Sequence, residues 1–395
     1  MGTVLFISPF DFKSVGFTSR VYPIGKALEN YHFDAIYYST GCGSHPIEAT
    51  HSGISKLGQN SFGLRKPLVK LPPELHQNFS SILYFVLGRF MPPIFRPADI
   101  IVTLRGLSVT KNDVIAVVCQ KPFFRTVIPA LKLSSELSMP CILDIDDYDV
   151  SNKAPFLSLF DAITVASNTL MREFRAWNPI FLPNVPSIKS VESEINLGLE
   201  SKYADTVFIY PKTGIPISIA VKAISSILPS NPNSHLRLVA FPPSIIRNLP
   251  VNPNRNVYSY PQVSHNALME MLGSCQISVC LDPDSRYGNA KSSIRLIESL
   301  YKGCAILAWN RGETGEIVEK SGSGIAVPYG DFDQLRKAYL KLVTDTSFRQ
   351  SCQRQGLVYL KSLGDWNENI KPLIEVIRRN WEYRRGPSTT SVNST

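Results

Sequence analysis

The stretch Tyr287-Gly288-Asn289-Ala290-Lys291-Ser292-Ser293-Ile294-Arg295-Leu296-Ile297-Glu298 runs on to Gly303-Cys304-Ala305-Ile306-Leu307-Ala308. A polar, glycine-containing loop here opens a helix, and the helix feeds an apolar run of strand length. If the helix starts near Lys291, successive residues lie about 100° apart. Lys291, Arg295, Glu298 and Lys302 then share a narrow sector, while Ile294, Leu296, Ile297, Leu300 and Tyr301 cover the other side. Free backbone N–H groups of the first turn, the hydroxyls of Ser292 and Ser293 and the Lys291 ammonium together suit a phosphate. Glu298, two turns on, is placed to accept hydrogen bonds from sugar hydroxyls. The same residues equally fit a solvated amphipathic helix whose Arg295, Glu298 and Lys302 pair with one another. This segment alone leaves both readings open.

Outward from this stretch the pattern repeats. Before it, short β-branched runs at residues 4–8, 35–39, 100–104, 114–119, 141–145, 162–166 and 180–182 alternate with helical stretches at 19–29, 127–137 and 170–177. Such continuous apolar strands are expected where both faces of a parallel sheet are covered. A second series follows a charged segment, with strands at 206–210, 236–240, 257–259, 277–281, 305–308 and 324–327. Its helices fit 217–228, 267–272, 291–302, 331–344 and 347–362. The βαβα order predicts two doubly wound α/β halves joined by a linker near 184–205. Residues 386–395 are polar and expected to be disordered.

A chain of 395 residues exceeds one ordinary core, in agreement with two domains. Its 44% hydrophobic and 18% charged composition is that of a globular protein. No run approaches the ~18 apolar residues of a membrane-spanning helix. The start, Met1-Gly2-Thr3-Val4-Leu5-Phe6-Ile7-Ser8, enters a strand pattern without a basic leader or cleavage site, so secretion is not expected. Phe6 stands where a myristoylation signal wants Ser or Thr. The seven cysteines form no Cys-x-x-Cys pair and no zinc spacing, and they read as buried thiols of a reducing compartment. A net charge of +9 calls for an anionic partner: a nucleic acid, an anionic membrane face or a phosphorylated small molecule. Nucleic acid ranks last, because no helix-turn-helix, zinc-finger or RNP pattern is present.

Two α/β halves facing across a cleft would bind ligands at the carboxyl ends of their strands. Five polar loops sit at such ends: 8–16 with Gly16; Gln120-Lys121-Pro122; Asp144-Ile145-Asp146-Asp147-Tyr148-Asp149; Pro211-Lys212-Thr213-Gly214; and the opening stretch. The four aspartates offer hard oxygen ligands to a divalent cation, or Asp146 and Asp147 orient a sugar hydroxyl or stabilise positive charge. Alternatively they cap the next turn. Lys212 and Thr213 form a turn suited to phosphate, without Walker spacing. Gln120 and Lys121 are a pair of polar groups at a strand end or a plain surface turn. The six histidines, His235 and His265 included, fall in no Ser/His/Asp arrangement and receive no catalytic role. Residues 82–96 are apolar with interspersed arginines and follow Arg65, Lys66 and Lys70. They suit either a membrane interface or a helix packed on the first sheet.

Taken in order, these residues resemble the GT-B glycosyltransferases, in particular the retaining GT4 type. The likeness covers nearly the whole chain. The run from Lys291 through Glu298 to 303–308 looks like the nucleotide-sugar segment of that family. Residues 310–318 are similar to its next loop and helix, and Gly322 to Pro328 with Asp331 and Leu335 to the segment after that. Residues 162–167 leading to Leu182-Pro183-Asn184, the Asp144–Asp147 cluster, and Trp366 with the helix after it complete the likeness. It implies a first domain over 1–190 for the acceptor, a second over 191–365 for the nucleotide sugar, and a crossing helix over 366–385.

The resemblance implies sugar transfer, without a cofactor or metal, from a UDP- or GDP-sugar to a glycan, glycolipid or lipid-linked acceptor. Glu298 would hold the ribose. The helix start with Lys291, Ser292, Ser293 and Arg295 would hold the diphosphate, with Lys212, Thr213, Gly16 and Glu316 assisting; Asp146, Asp147 and Gln120 would face the reacting centre. Cationic groups matter because the leaving nucleoside diphosphate gains charge in the transition state. The chain departs from the pattern at four places. Ala290 stands for an earlier glutamate, Gln120 for a histidine, Gly16 for a double glycine, and Tyr210-Pro211-Lys212-Thr213 for a Gly-Arg…Lys phosphate pair. These departures motivate two alternatives: a catalytically silent glycan- or protein-binding relative, and a sugar-nucleotide epimerase. The expected location is the cytoplasm, with peripheral attachment to the inner membrane face as an option.

Overall fold

The computed structural model describes residues 2–9, 17–39, 49–51, 110–148, 150–186, 204–211, 215–228, 234–249 and 256–385. Gly16, Lys212, Thr213, Asp149, the strand expected at 100–104, the basic apolar segment 82–96 and the tail 386–395 lie outside these residues. The chain forms two compact units. One comprises Met1–Ala166, Leu170–Leu182 and Trp366–Thr395; the other comprises Ser167–Thr169 and Pro183–Asp365.

The first unit holds β1 (Gly2–Ser8), α1 (Tyr22–Glu29), β2 (Phe33–Ser39), β3 (Ala49–His51), β4 (Val114–Gln120), α2 (Phe124–Leu137), β5 (Cys141–Ile145), β6 (Ala162–Val165), α3 (Asn168–Glu173, whose first two residues belong to the second unit) and β7 (Ile180–Phe181). Its sheet runs in the order β3-β2-β1-β4-β5-β6-β7. All pairs are parallel except β2–β3, an antiparallel edge that the apolar patterning did not signal. The continuous apolar runs account for the parallel core: Val4, Leu5, Phe6 and Ile7 are buried, as is every residue of β4.

The second unit holds β8 (Thr206–Ile209), α4 (Ile217–Ser226), β9 (Leu236–Val239), α5 (Pro243–Arg247), β10 (Val257–Tyr260), α6 (His265–Gly273), β11 (Ile277–Cys280), α7 (Arg286–Ala290), α8 (Ile294–Tyr301), β12 (Ala305–Trp309), α9 (Gly312–Ser321), β13 (Gly324–Val327), α10 (Phe332–Thr344) and α11 (Thr346–Ser362). Its all-parallel sheet runs β10-β9-β8-β11-β12-β13. Helices α12 (Trp366–Asn369) and α13 (Lys371–Arg385) return to the first unit, α12 against α1 and α13 against β4. Trp366, Ile370, Leu373, Ile374 and Ile377 are buried there, and Tyr31 donates its hydroxyl to the Asn367 carbonyl at 2.9 Å.

In both sheets the first strand runs outward to one edge and the fourth strand starts the other side. The order of connection therefore reverses between β1 and β4, and again between β8 and β11. Such reversals leave a crevice at the carboxyl ends of the two strands, where doubly wound sheets bind ligands.

Candidate functional site

At the second reversal, the decisive stretch begins with a helix shorter and later than its sequence suggests. The expected start near Lys291 is corrected to Ile294. Residues 286–290 form the separate turn α7, and Lys291 is extended, with φ −68° and ψ 124°. Ser293 explains the break. It takes the extended N-cap conformation, and its hydroxyl accepts the Leu296 N–H at 3.4 Å. Ser293 is buried, whereas Lys291 and Ser292 are half-buried; the Ser292 carbonyl accepts from the Asn184 side-chain amide at 3.3 Å. Leu296, Ile297, Leu300 and Tyr301 bury the opposite face of α8, as the patterning required.

The polar face of α8 does not pair internally. Arg295 reaches across the reversal, donating to the Ile209 carbonyl at the end of β8 (2.8 Å) and to Asp282 Oδ1 just past β11 (2.7 Å). The second oxygen of Asp282 accepts the Thr314 hydroxyl from the first turn of α9 at 2.9 Å. Asp282 is thus a hub that ties α8 and α9 to the carboxyl edge of the sheet. Glu298 pairs instead with His265, the first residue of α6, at 2.7 Å between Nε2 and Oε1. The Glu298 hydrogen bond is the leading cause that raises the His265 pKa above its ordinary value, against partial burial.

Close approach locks the loop before α8 to α9. Gly312 has φ +55°, and a Cβ there would lie 2.4 Å from the Asn289 Cα; a Cβ on Gly288 would lie 2.3 Å from the Pro283 carbonyl oxygen. Glu313, buried at 3% exposure, accepts from the Asn168 N–H and side-chain amide (both 3.1 Å) and the Thr169 N–H (3.3 Å). Burial pushes its carboxyl pKa up in spite of these bonds. Ala290 is fully buried, and its carbonyl accepts the Ser167 hydroxyl at 2.7 Å. Glu316 is partly buried one turn along α9 and pairs with Lys320 at 3.3 Å.

The first reversal is built differently. Ser8 and Gln120 end β1 and β4, Asp144 and Thr164 continue the row one residue before the ends of β5 and β6, and all four are buried. Arg20, wholly buried ahead of α1, donates to both oxygens of Asp144 at 2.8 and 2.6 Å and to the Leu182 carbonyl at 3.0 Å. Thr164 donates to Asp144 at 2.6 Å. Burial would lower the guanidinium pKa, but the Asp144 charge and hydrogen bond outweigh it and hold it above the ordinary arginine value. Gln120 Oε1 accepts the Ser8 hydroxyl at 2.7 Å, yet its buried Nε2 finds no partner among the described residues. That orphan donor lies at the reversal itself.

Lys121 turns the chain with φ +66°, and its buried ammonium meets Asp146 (2.6 Å) and Asp147 (2.5 Å). Mutual repulsion of the acidic run is therefore relieved by two internal cations, with Arg20 on Asp144 and Lys121 on Asp146 and Asp147. Among the described residues no group of three His, Cys, Asp or Glu side chains is placed to hold a metal, and no helix is long and apolar enough to cross a membrane. Sequence reasoning missed Asp282, Glu313, Arg20 and the His265 link. Only Asp282 left a local signal, an aspartate before Pro283 at the end of an apolar run.

No family model matches the chain, and no curated protein matches its sequence. Solved structures do match its fold. Sucrose-phosphate synthase from Thermosynechococcus elongatus is similar with a TM-score of 0.60 and 14% identity, over 96% of this chain and 99% of that one. A glycosyltransferase from Rickettsia africae gives a TM-score of 0.60 at 11% identity, over 96% and 99% of the two chains. HepE from Anabaena, in complex with UDP-glucose, gives 0.58 at 12% identity, over 95% and 99%. The chain has the GT-B fold, with two Rossmann-like α/β domains.

Proposed function

We propose that this chain is a glycosyltransferase of the retaining GT4 type, moving a sugar from a UDP- or GDP-sugar to a glycan, glycolipid or lipid-linked acceptor without a metal. One observation carries the reading: the second sheet's reversal, where Arg295, Asp282 and the amino end of α8 meet one turn from Glu298. The fold it shares with a structure holding UDP-glucose supports the same reading.

In this scheme the diphosphate lies against the amino end of α8, where the helix dipole favours negative charge. Lys291 and Ser292 flank it, and Lys212, Thr213 and Gly16 assist from their loops. Arg295 adds positive potential while Asp282 and the Ile209 carbonyl fix its plane, so little reorganisation is needed as the leaving group gains charge. Glu298 takes the ribose hydroxyls, and Glu316 steadies the adjoining helix. On the first unit, Gln120 Nε2 offers a donor to a sugar oxygen, and Asp146 and Asp147, oriented by Lys121, stabilise positive charge developing on the transferred sugar. The six described cysteines are buried, which supports a cytoplasmic location, and the net positive charge suits work at an anionic inner membrane face.

The test is a turnover and thermal-shift screen against UDP-, GDP-, ADP- and TDP-sugars, with chelator present and absent, on wild type and Glu298→Ala. Binding of a UDP- or GDP-sugar that weakens about tenfold or more in the variant is expected. Binding of no nucleotide sugar, with Glu298→Ala indistinguishable from wild type, sinks the proposal. Gln120 and Ala290, standing where relatives carry His and Glu, favour the silent-relative reading, which predicts nucleotide binding with no turnover on any acceptor. Turnover in the absence of acceptor would mark an epimerase.

A further inference from the structure

We propose that His265 is a positioning residue for Glu298, holding the carboxylate ready for a ribose diol and making nucleotide affinity depend on pH. The inference rests on the reading of Glu298 as the ribose contact.

The two residues are 33 positions apart and are brought together by the packing of α6 against α8. Ser264 caps α6, its hydroxyl accepting the Ala267 N–H at 3.3 Å, which fixes His265 at the first position of the helix. From there its Nε2 reaches Glu298 Oε1 at 2.7 Å, and no other hydrogen bond to that carboxylate occurs among the described residues. The Glu298 side chain is 13% exposed and that of His265 43%, so a ligand can approach while the pair stays partly shielded. One oxygen is thereby anchored, and Oε2 remains for a hydroxyl donor. A glutamate on a two-turn helix otherwise has three rotatable bonds to order when a ligand arrives, and pre-orientation removes that cost.

The pH dependence follows from the charges facing the pair. On α8 these are Arg295, committed to Asp282 and the Ile209 carbonyl, and Lys302, whose side chain runs toward Gly273 at the far end of α6 with its ammonium over the Tyr301 ring. On α6 itself the charged group is Glu270. Arg237 of β9 reaches Ser274 and Cys275 beyond the end of α6 and pairs with Asp205. Burial keeps the Cys275 and Cys304 thiols protonated. Glu298 is the one charged partner that shifts His265, and it shifts it upward. The imidazolium therefore persists to a higher pH than in a free histidine. Its bond to Glu298 joins two opposite charges below the raised pKa and becomes a weaker bond from a neutral donor to the carboxylate above it. Nucleotide affinity should fall as pH rises through that point.

Calorimetric titration of the full chain with UDP and GDP, and with their 2′,3′-dideoxy forms, from mildly acidic to mildly alkaline pH tests this. His265→Ala should weaken the ribonucleotide about fivefold at the acidic end, where the pair is charged. His265→Gln keeps a donor of similar reach without a titrating group; it should retain most of the affinity and lose the pH dependence. The dideoxy forms should bind alike to all three proteins. Ribonucleotide binding by His265→Ala equal to wild type, with an unchanged pH profile, overturns the proposal while leaving the donor site standing. Equal weakening of ribo and dideoxy forms overturns it too, since that marks a general packing loss. Failure of wild type to bind either nucleotide overturns this inference and the donor reading together.

Discussion

The two connection reversals occupy equivalent places in their sheets and are closed by opposite means. In the first unit a buried carboxylate, Asp144, is closed off by Arg20 and Thr164, leaving a neutral amide donor, Gln120 Nε2, at the crevice. In the second unit a less buried guanidinium, Arg295 in the first turn of α8, pairs with Asp282 and the Ile209 carbonyl at the strand ends. A doubly wound sheet thus supplies the crevice, but the few polar side chains at the strand ends decide its charge. On the proposed function the first reversal meets a neutral, oxygen-rich ligand and the second an anion.

The largest expected effect that would break this contrast is on stability in the first unit. Asp144→Ala strands a fully buried guanidinium, and we expect a loss of about 3–5 kcal/mol in denaturant unfolding. Asp282→Ala frees a partly exposed arginine that keeps the Ile209 carbonyl. A smaller stability loss of about 1–3 kcal/mol should accompany a drop in UDP- or GDP-sugar affinity measured by calorimetry. Equal stability losses at the two sites, with no change in affinity, would erase the distinction. The finest probe is Gln120→Met, which removes the orphan donor. The same change removes the acceptor of the buried Ser8 hydroxyl, so we expect unfolding to lose about 1–2 kcal/mol while turnover falls about tenfold, the worth of one neutral hydrogen bond. Unchanged turnover would mean that no substrate oxygen meets Nε2.

The strands were legible because parallel sheets demand unbroken apolar runs: residues 4–8 and 114–119 correspond to β1 and β4 nearly to the residue. The antiparallel edge β3 is three residues long and carries too little pattern to announce itself. The start of α8 slipped because Ser293 competes for a backbone N–H as a cap, and helical periodicity is blind to that competition. Glu298 and Arg295 were readable as polar positions on a helix face, but their partners were not. His265 and Asp282 come from other elements, and only the packing of those elements sets the pairing. Arg20 and Asp144, 124 positions apart, meet for the same reason. Chemistry confined to one loop shows in a sequence, whereas chemistry assembled from several strand ends appears only with the fold.

The return of residues from Trp366 onward to the first unit sets a timetable for the nascent chain. Every residue of Pro183–Asp365 is joined to the chain before Trp366, so the first unit waits for Ile370, Leu373, Ile374 and Ile377 until the whole of that stretch has been synthesised. At ~5–20 residues per second that delay lasts on the order of 10 to 40 seconds. The first unit is therefore closed only by residues made after the second, and a translation stall shortly before Trp366 would leave its core without those four side chains.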